Sequence, residues 1–262
     1  MNVAENQLNE AGSLAGKVAL VTGGGTGIGR AAALSFAKKG ATVVAAGRRQ
    51  AALNAVVGEI ESAGGKAAAI TADISKENEV TALIKAVVER FGRLDAAFNN
   101  AATTGNGPIE TLTTEVFDSV FATNVRGVWM LIQQEIIAMR TLGNGGAIVN
   151  TSSIAATGGN VGLSIYGASK GALDAMIRHI ALEVGSDGIR INNVSPGLTR
   201  TPMTADFPEE AFAVVGGHAA LKRVAEADDV GDVAVWLCTN EARFVTGQSI
   251  LADGGYNIAG MR

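Results

Sequence analysis

Short apolar runs alternate along this chain with longer stretches in which apolar residues return every third or fourth position, the spacings of a buried strand and of an amphipathic helix. Lys17 to Thr22 is an apolar run ending in glycines, and the Ala-rich stretch Ile28 to Lys39 that follows is closed by Gly40, which predicts strand, loop and helix. Ala41 to Ala46 predicts a second strand, Gln50 to Ala63 a helix and Lys66 to Thr71 a third strand. Lys76 to Arg90 predicts a helix with Val80, Leu83, Ile84 and Val87 on one face. The alternation continues through a strand at Leu94 to Asn99, a long helical region across Phe117 to Met139 and a strand at Ala147 to Thr151. Tyr166 to Val184 predicts a helix, Arg190 to Val194 a strand, Asp228 to Thr239 a helix and Ser249 to Leu251 a last strand. Such alternation predicts an α/β fold with a doubly wound parallel sheet of the Rossmann type and right-handed crossovers. Ligands of such sheets bind beyond the carboxyl ends of the strands.

Residues with chemistry to offer fall at those ends. Thr22 to Gly29 follows the first strand, Arg48 the second, Asp73 the third, Asn100 the fourth, Ser153 the fifth and Pro196-Gly197 the sixth. The first loop lacks G-x-G-x-x-G spacing because position 28 is Ile; its glycines are Gly23, Gly27 and Gly29, with Thr26 between them. Glycines permit a tight turn and close backbone approach to a pyrophosphate, whose charge meets free N–H groups at the following helix start; the bland reading is a turn and cap. After the second strand no acidic residue waits for a ribose 2′-hydroxyl, and Arg48 and Arg49 stand there instead. Cations beside the positive end of a helix are unfavourable unless an anion compensates, so this end favours the 2′-phosphate of NADP over NAD.

Tyr166 precedes Lys170 by one helical turn, so an ammonium can sit beside a phenol and favour its ionised form. A phenol so placed can exchange a proton with a substrate hydroxyl or carbonyl. In isolation, such a pair is more often a solvated helix face.

Composition narrows the setting. A length of 262 residues without a Pro- or Ser-rich linker suits one α/β domain, expected over residues 13–262 behind a flexible tail at 1–12. Hydrophobic residues at 47% and aromatics at only 5% suit an aliphatic sheet buried on both faces. A net charge of -4 and the lack of a cationic stripe argue against nucleic-acid binding. With no secretory pattern at the start and no long apolar stretch, a soluble cytoplasmic protein without a membrane span is expected. The single cysteine, Cys238, excludes an internal disulfide and reads as a small buried hydrophobe. His179 and His218 are the only histidines, too few to support a zinc-dependent alcohol dehydrogenase, and no metal is expected. Without a G-x-S-x-G setting the strand-end serines do not suggest a hydrolase.

These motifs, in this order from about Leu14 onward, resemble the single-domain short-chain dehydrogenase/reductase family. The resemblance rests on the glycine loop, Asp73-Ile74, Asn99-Asn-Ala-Ala102, Asn124, Ser153, Tyr166-x-x-x-Lys170, Asn192-x-x-x-Pro196-Gly197 and Asp253-Gly-Gly255. It implies Tyr166 as general acid/base, Ser153 holding the substrate oxygen, and Lys170 binding the nicotinamide ribose while supporting Tyr166. Asn124 would anchor a proton relay. Ser153, not Ser152, has the family's spacing to Tyr166. The resemblance further implies Asp73 and Ile74 at the adenine, Asn100 near its ribose, and Thr199 and Thr201 near the carboxamide. Ala102 stands where the family usually has glycine, a small departure.

The expected reaction is reversible hydride transfer between NADP(H) and a ketone or secondary alcohol. NAD(H) remains the alternative within the family, and a dinucleotide-binding sensor is disfavoured because Asn124, Ser153, Tyr166 and Lys170 are all present. Substrate choice is expected in residues 103–112, 154–164 and 200–221, the last a lid. With no cation pair beyond Arg200 to clamp an anion, the substrate is expected to be an uncharged small molecule. The resemblance also implies a homotetramer built through Phe117 to Met139 and Tyr166 to Val184.

Overall fold

The computed structural model describes residues 12–259; the expected tail at 1–12 lies outside them but for Gly12. Seven strands form one sheet: Val18–Thr22 (β1), Thr42–Gly47 (β2), Lys66–Thr71 (β3), Ala96–Asn99 (β4), Gly146–Thr151 (β5), Ile189–Pro196 (β6) and Ser249–Ala252 (β9). Every pairing is parallel, in the order β3-β2-β1-β4-β5-β6-β9. The direction of winding reverses between β1 and β4, which opens a crevice at their carboxyl ends. This is the doubly wound Rossmann-type α/β architecture that the alternating pattern predicts. Thr199–Arg200 (β7) and Ala225–Glu226 (β8) form a separate two-strand pair, too short to leave any periodic signal in the sequence.

The helices are Gly27–Lys38 (α1), Gln50–Ser62 (α2), Glu77–Phe91 (α3), Thr114–Phe121 (α4), Val128–Leu142 (α5), Ser164–Val184 (α6), Glu209–His218 (α7) and Ala227–Cys238 (α8). Alternate residues of each central strand enter opposite cores. Leu20, Ala97, Ile148 and Ile191 meet Leu83 of α3, Leu131 of α5 and Leu173 of α6. Val21, Phe98, Val149 and Val194 meet Phe36 of α1, Ile60 of α2 and Val235 of α8. Burial on both faces explains why these strands read as continuous apolar runs.

Two stretches differ in detail from the sequence pattern. The predicted single helical region across Phe117 to Met139 is α4 and α5 joined by a π-helical turn, Ala122–Gly127. Gly127 lets this turn approach the chain after β3: a Cβ there would stand 2.7 Å from the Ile74 carbonyl oxygen. The segment 200–221 contains α7 and the short turn Pro202–Thr204, so it is more ordered than its small residues suggested.

Beneath the carboxyl ends a row of polar side chains, three buried and the last half-buried, crosses four strands. Asn99, Asn150, Asn193 and Ser249 are register partners on β4, β5, β6 and β9. Asn99 Nδ2 donates to Asn150 Oδ1 at 3.1 Å, Asn150 Nδ2 to Asn193 Oδ1 at 2.9 Å, and Asn193 Nδ2 to Ser249 Oγ at 3.2 Å. Helices close both ends of the row. Asn99 Nδ2 also donates to Glu135 Oε2 of α5 at 3.0 Å, and Asn193 Nδ2 to Asp174 Oδ1 of α6 at 2.9 Å.

Glu135 is fully buried, and burial pushes its carboxyl from 4.5 up to about 8, with the Asn99 bond opposing. The folded protein therefore keeps a proton on Glu135 that the unfolded chain releases, and Glu135 costs stability progressively as pH rises from 4.5 through about 8. Glu135→Gln keeps the amide contact and removes the titration. The difference in unfolding free energy between variant and wild type, from urea midpoints across this window, is expected to grow with pH in favour of Gln; a constant difference would refute a protonated Glu135.

Candidate active site

The glycine loop leaves β1 at the reversal of the sheet. Gly23 and Gly27 have φ of 65° and 53°, the left-handed region that glycine enters without steric cost. A Cβ on Gly29 would lie 2.2 Å from the Gly23 carbonyl oxygen and 2.7 Å from Asn100 Nδ2, so the loop closes only around a bare Cα. Thr26 precedes α1 without a side-chain cap, and the helix has no acidic residue in its first turn. Its first N–H groups thus lack a side-chain acceptor, the arrangement that receives a phosphate. Ile28 is half-buried and packs against the core shared by α1 and α8.

The other expected dinucleotide residues gather around this loop with different degrees of directness. Arg48 and Arg49 are exposed at the end of β2, and Arg49 donates to the Thr26 hydroxyl at 3.1 Å. Arg48 is electrostatically coupled to Asp73 at the end of β3. Burial raises the Asp73 carboxyl, but hydrogen bonds from the Ser75 hydroxyl and amide, with the charges of Arg48 and Lys76, hold it below its ordinary value. Ile74 is buried beside it. Asn100 lies under the loop rather than in the open crevice: its amide donates to the Thr22 hydroxyl at 3.1 Å and its Oδ1 accepts from the Thr151 hydroxyl at 3.2 Å. Thr201 is brought to the loop from β7, since a Cβ on Gly27 would touch its side chain at 3.2 Å. Thr199 is buried, donating to the Gly197 carbonyl at 3.0 Å.

On the other side of the reversal, Tyr166 and Lys170 stand one turn apart on α6 and face the end of β5. The Tyr166 phenol interacts with the side chain of Ser153, whose Oγ accepts from the Ala155 amide at 3.1 Å. Lys170 is fully buried, donates to the Thr151 carbonyl at 2.6 Å and lies 5.5 Å from the centre of the Tyr166 ring. Burial lowers the Lys170 ammonium to about 8, with Asp174 opposing. Burial also raises the Tyr166 phenol above its usual 10.0, and the Ser153 interaction recovers only part of the shift. The sequence pattern suggests that Lys170 brings the phenol down; in the structure, desolvation sets the direction of the shift and it is upward.

Asn124 sits in the π-helical turn and is fully buried. Its side-chain amide reciprocates the Thr103 backbone, accepting from its N–H and donating to its carbonyl at 2.9 Å each, and donates to Ser169 Oγ at 3.1 Å. Thr103, Ser169 and Thr151 are contacts that the sequence reading missed, because no spacing rule links them to Asn124 or Lys170. Ser152 points away from Ser153, into the protein, and donates to Asp174 at 2.7 Å. A cavity of about 670 Å³ lies between the segments 107–110 and 155–164 and the first turns of α6, with Ile109, Glu110, Ala156, Val161 and Leu163 among its walls; Ser153 and Tyr166 adjoin these segments along the chain and do not line it. Among the described residues no three His, Cys, Asp or Glu side chains are grouped as a metal site requires, and no helix is long and apolar enough to cross a membrane. Cys238 is buried, and burial pushes its thiol up to about 12.

A dinucleotide-type crevice joined to a Ser–Tyr–Lys arrangement on one parallel sheet defines an oxidoreductase of the Rossmann class, and the profile of the enoyl-(acyl carrier protein) reductase family matches residues 23–257. The chain belongs to the short-chain dehydrogenase/reductase family, whose members are oxidoreductases that work with a nicotinamide dinucleotide on alcohols and ketones. It is 41% identical to the A-factor type gamma-butyrolactone 1'-reductase (1S-forming) of Streptomyces virginiae, over 94% of this chain and 98% of that protein. It is 38% identical to the cyclohexanol dehydrogenase of an Acinetobacter species, over 92% of this chain and 94% of that one. The crystal structure of a short-chain type dehydrogenase/reductase from Mycobacterium marinum matches it with a TM-score of 0.90 at 32% identity, covering 94% of this chain and 97% of that one.

The glycine loop yields a direct expectation. Gly29→Ala forces a methyl group into the Gly23 carbonyl and is expected to destabilise the fold by about 1–3 kcal/mol while weakening dinucleotide binding. Urea unfolding and fluorescence titration with NADPH check it, and native stability with native affinity would refute the close-approach role.

Proposed function

We propose that this protein reduces an uncharged ketone with NADPH, or oxidises the corresponding secondary alcohol with NADP+, using Tyr166 as the proton carrier. The observation that carries this reading is Lys170, buried with its ammonium 5.5 Å from the centre of the Tyr166 ring, with Ser153 facing the phenol from the end of β5. The nicotinamide, when bound, supplies or takes the hydride. Ser153 holds the substrate oxygen near the Tyr166 hydroxyl, and Tyr166 gives that oxygen a proton during reduction or removes one during oxidation. Lys170 holds the nicotinamide ribose and stabilises charge on Tyr166. Asn124, pinned by Thr103, anchors the relay that returns a proton to the pair. Gly23, Thr26, Gly27, Ile28 and Gly29 would cradle the pyrophosphate, Asp73 and Ile74 would hold the adenine, and Thr199 and Thr201 would hold the carboxamide. Asn100 serves by holding the loop.

Arg48 and Arg49 support the preference for NADP, because two exposed cations at the end of β2 are placed to meet a 2′-phosphate. The cavity wall supports an uncharged substrate. It is lined mainly by glycine, alanine and aliphatic side chains, and Arg200 is already engaged by Glu209 and stacked 4.3 Å over the Phe212 ring. The relatives' names point the same way, toward cyclic alcohols and a lactone-linked carbonyl. We read residues 13–262 as one domain with residues 200–221 as its lid. Exposed Phe117, Trp129, Ile137 and Leu182 on α4, α5 and α6 support a homotetramer built through these helices. A cytoplasmic location fits the same reading.

Absorbance assays with NADPH and NADH against cyclic and acyclic ketones test the function; turnover with NADH alone would replace NADP with NAD. Arg48→Ala is expected to raise the KM for NADPH about ten- to a hundredfold, in line with about 1.5–3 kcal/mol for a hydrogen bond to a charged group, with little change for NADH. Tyr166→Phe is expected to lower kcat by about a hundred- to ten-thousand-fold with dinucleotide affinity retained. Ketone reduction should decline as pH rises through about 8, where Lys170 loses its proton. Undiminished kcat in Tyr166→Phe would remove the mechanism.

A further inference from the structure

Three consecutive residues at the end of β5 engage three residues spaced one turn apart along α6. The Thr151 carbonyl accepts from Lys170, the Ser152 hydroxyl donates to Asp174, and Ser153 meets Tyr166. Positions 166, 170 and 174 form one stripe of the helix, so the three contacts together fix its rotation and its height against the sheet. Only the first two members of that stripe belong to the proposed chemistry.

Asp174 is buried, and a single oxygen, Oδ1, accepts from three donors on or next to three different strands: Ser152 Oγ at 2.7 Å, Asn193 Nδ2 at 2.9 Å and Ser249 Oγ at 2.8 Å. Those donors come from the end of β5, from β6 and from β9. They are neutral, and among the described residues the titratable neighbour acting on this carboxylate is Lys170, one turn back on the same helix. Arg178 and His179, one turn further along, are exposed to solvent. Glu135 lies at the far end of the polar row, beyond Asn150 and Asn99.

We propose that Asp174 is a positioning residue for the reaction: it pins α6 to three neighbouring strands so that Lys170 and Tyr166 face the crevice, and it sets a buried negative charge one helical turn from the Lys170 ammonium. This rests on the proposed roles of Tyr166 and Lys170. Hydrogen bonding supplies the geometric half. The electrostatic half follows from burial, since a fully buried lysine loses its proton readily unless an opposite charge is near. Removing that charge shifts the ionisations of the Tyr166–Lys170 pair to lower pH, whereas removing a donor loosens the helix without changing the charge.

The test separates the two halves. In protein carrying carbon-13 at lysine Cε, the Lys170 signal is the one absent from Lys170→Arg, and its midpoint is followed by NMR. Asp174→Asn is expected to lower that midpoint by about one pH unit and to move the alkaline limb of cyclohexanone reduction to lower pH, with a native far-ultraviolet spectrum. Ser152→Ala combined with Ser249→Ala is expected to lower kcat about tenfold while leaving NADPH affinity and the Lys170 midpoint near wild type. An unmoved Lys170 midpoint in folded Asp174→Asn overturns the electrostatic role, and undiminished kcat in the double variant overturns the positioning role. Should Asp174→Asn fail to fold, the double variant still decides the latter. Wild-type protein that turns over no ketone would sink the proposed function and leave the Lys170 titration to judge Asp174 by itself.

Discussion

The polar row Asn99–Asn150–Asn193–Ser249 is the constraint on which the chemistry end of the sheet depends. A parallel strand buried on both faces carries little register information in its aliphatic side chains, because a slide along a neighbour exchanges one Val or Ile for another. Amides cannot be exchanged in that way. Each net hydrogen bond is worth about 1 kcal/mol, but a slipped strand would leave several buried amides without partners at about 1–3 kcal/mol apiece. The native register of β4, β5, β6 and β9 is the one in which each amide meets the next. Once it is set, residues 151–153 stand at a defined height, and α6 is drawn onto them by Lys170, Asp174 and Tyr166.

Much of this was legible in the amino-acid sequence. Strand positions follow from apolar runs, and the glycine loop follows from spacing. The Tyr166–Lys170 pair follows from helical periodicity, with family resemblance supplying Ser153 and Asn124. The π-helical turn at Ala122–Gly127 was not legible, because one extra residue per turn leaves the surrounding pattern almost unchanged. Neither was the row of amides: Asn150 and Asn193 each look like isolated polar residues in apolar strands, and only lateral pairing across the sheet gives them partners. Ser152 and Ser153 illustrate the same limit. Family spacing distinguished them, but the physical reason is strand alternation, which turns one hydroxyl inward to Asp174 and the other toward Tyr166.

Electrostatics at the site were legible in kind but not in sign. Adjacent Tyr and Lys suggest a phenol made more acidic, yet burial raises Tyr166 and lowers Lys170, so both shift toward their neutral forms. Desolvation dominates where a titratable group is enclosed without a close opposite charge. The buried Asp174, one turn along the helix, works against that trend at Lys170.

Rigidity is distributed unevenly across the cleft, and the distribution fits the division of labour. On the β5–α6 side the contacts are buried and mutually dependent, so displacing one side chain leaves others unpaired. On the side of residues 200–221, α7 is tied down by Arg200 with Glu209, Glu226 and Phe212, all but the last exposed or partly exposed. Exposed ion pairs are worth about 0–1 kcal/mol, so thermal opening falls on this segment before it reaches the row of amides. Thr201 packs against Gly27, so movement of that segment would also uncover the glycine loop. The β5–α6 face is thus held by buried polar bonds, and the 200–221 face by exposed contacts that release more easily.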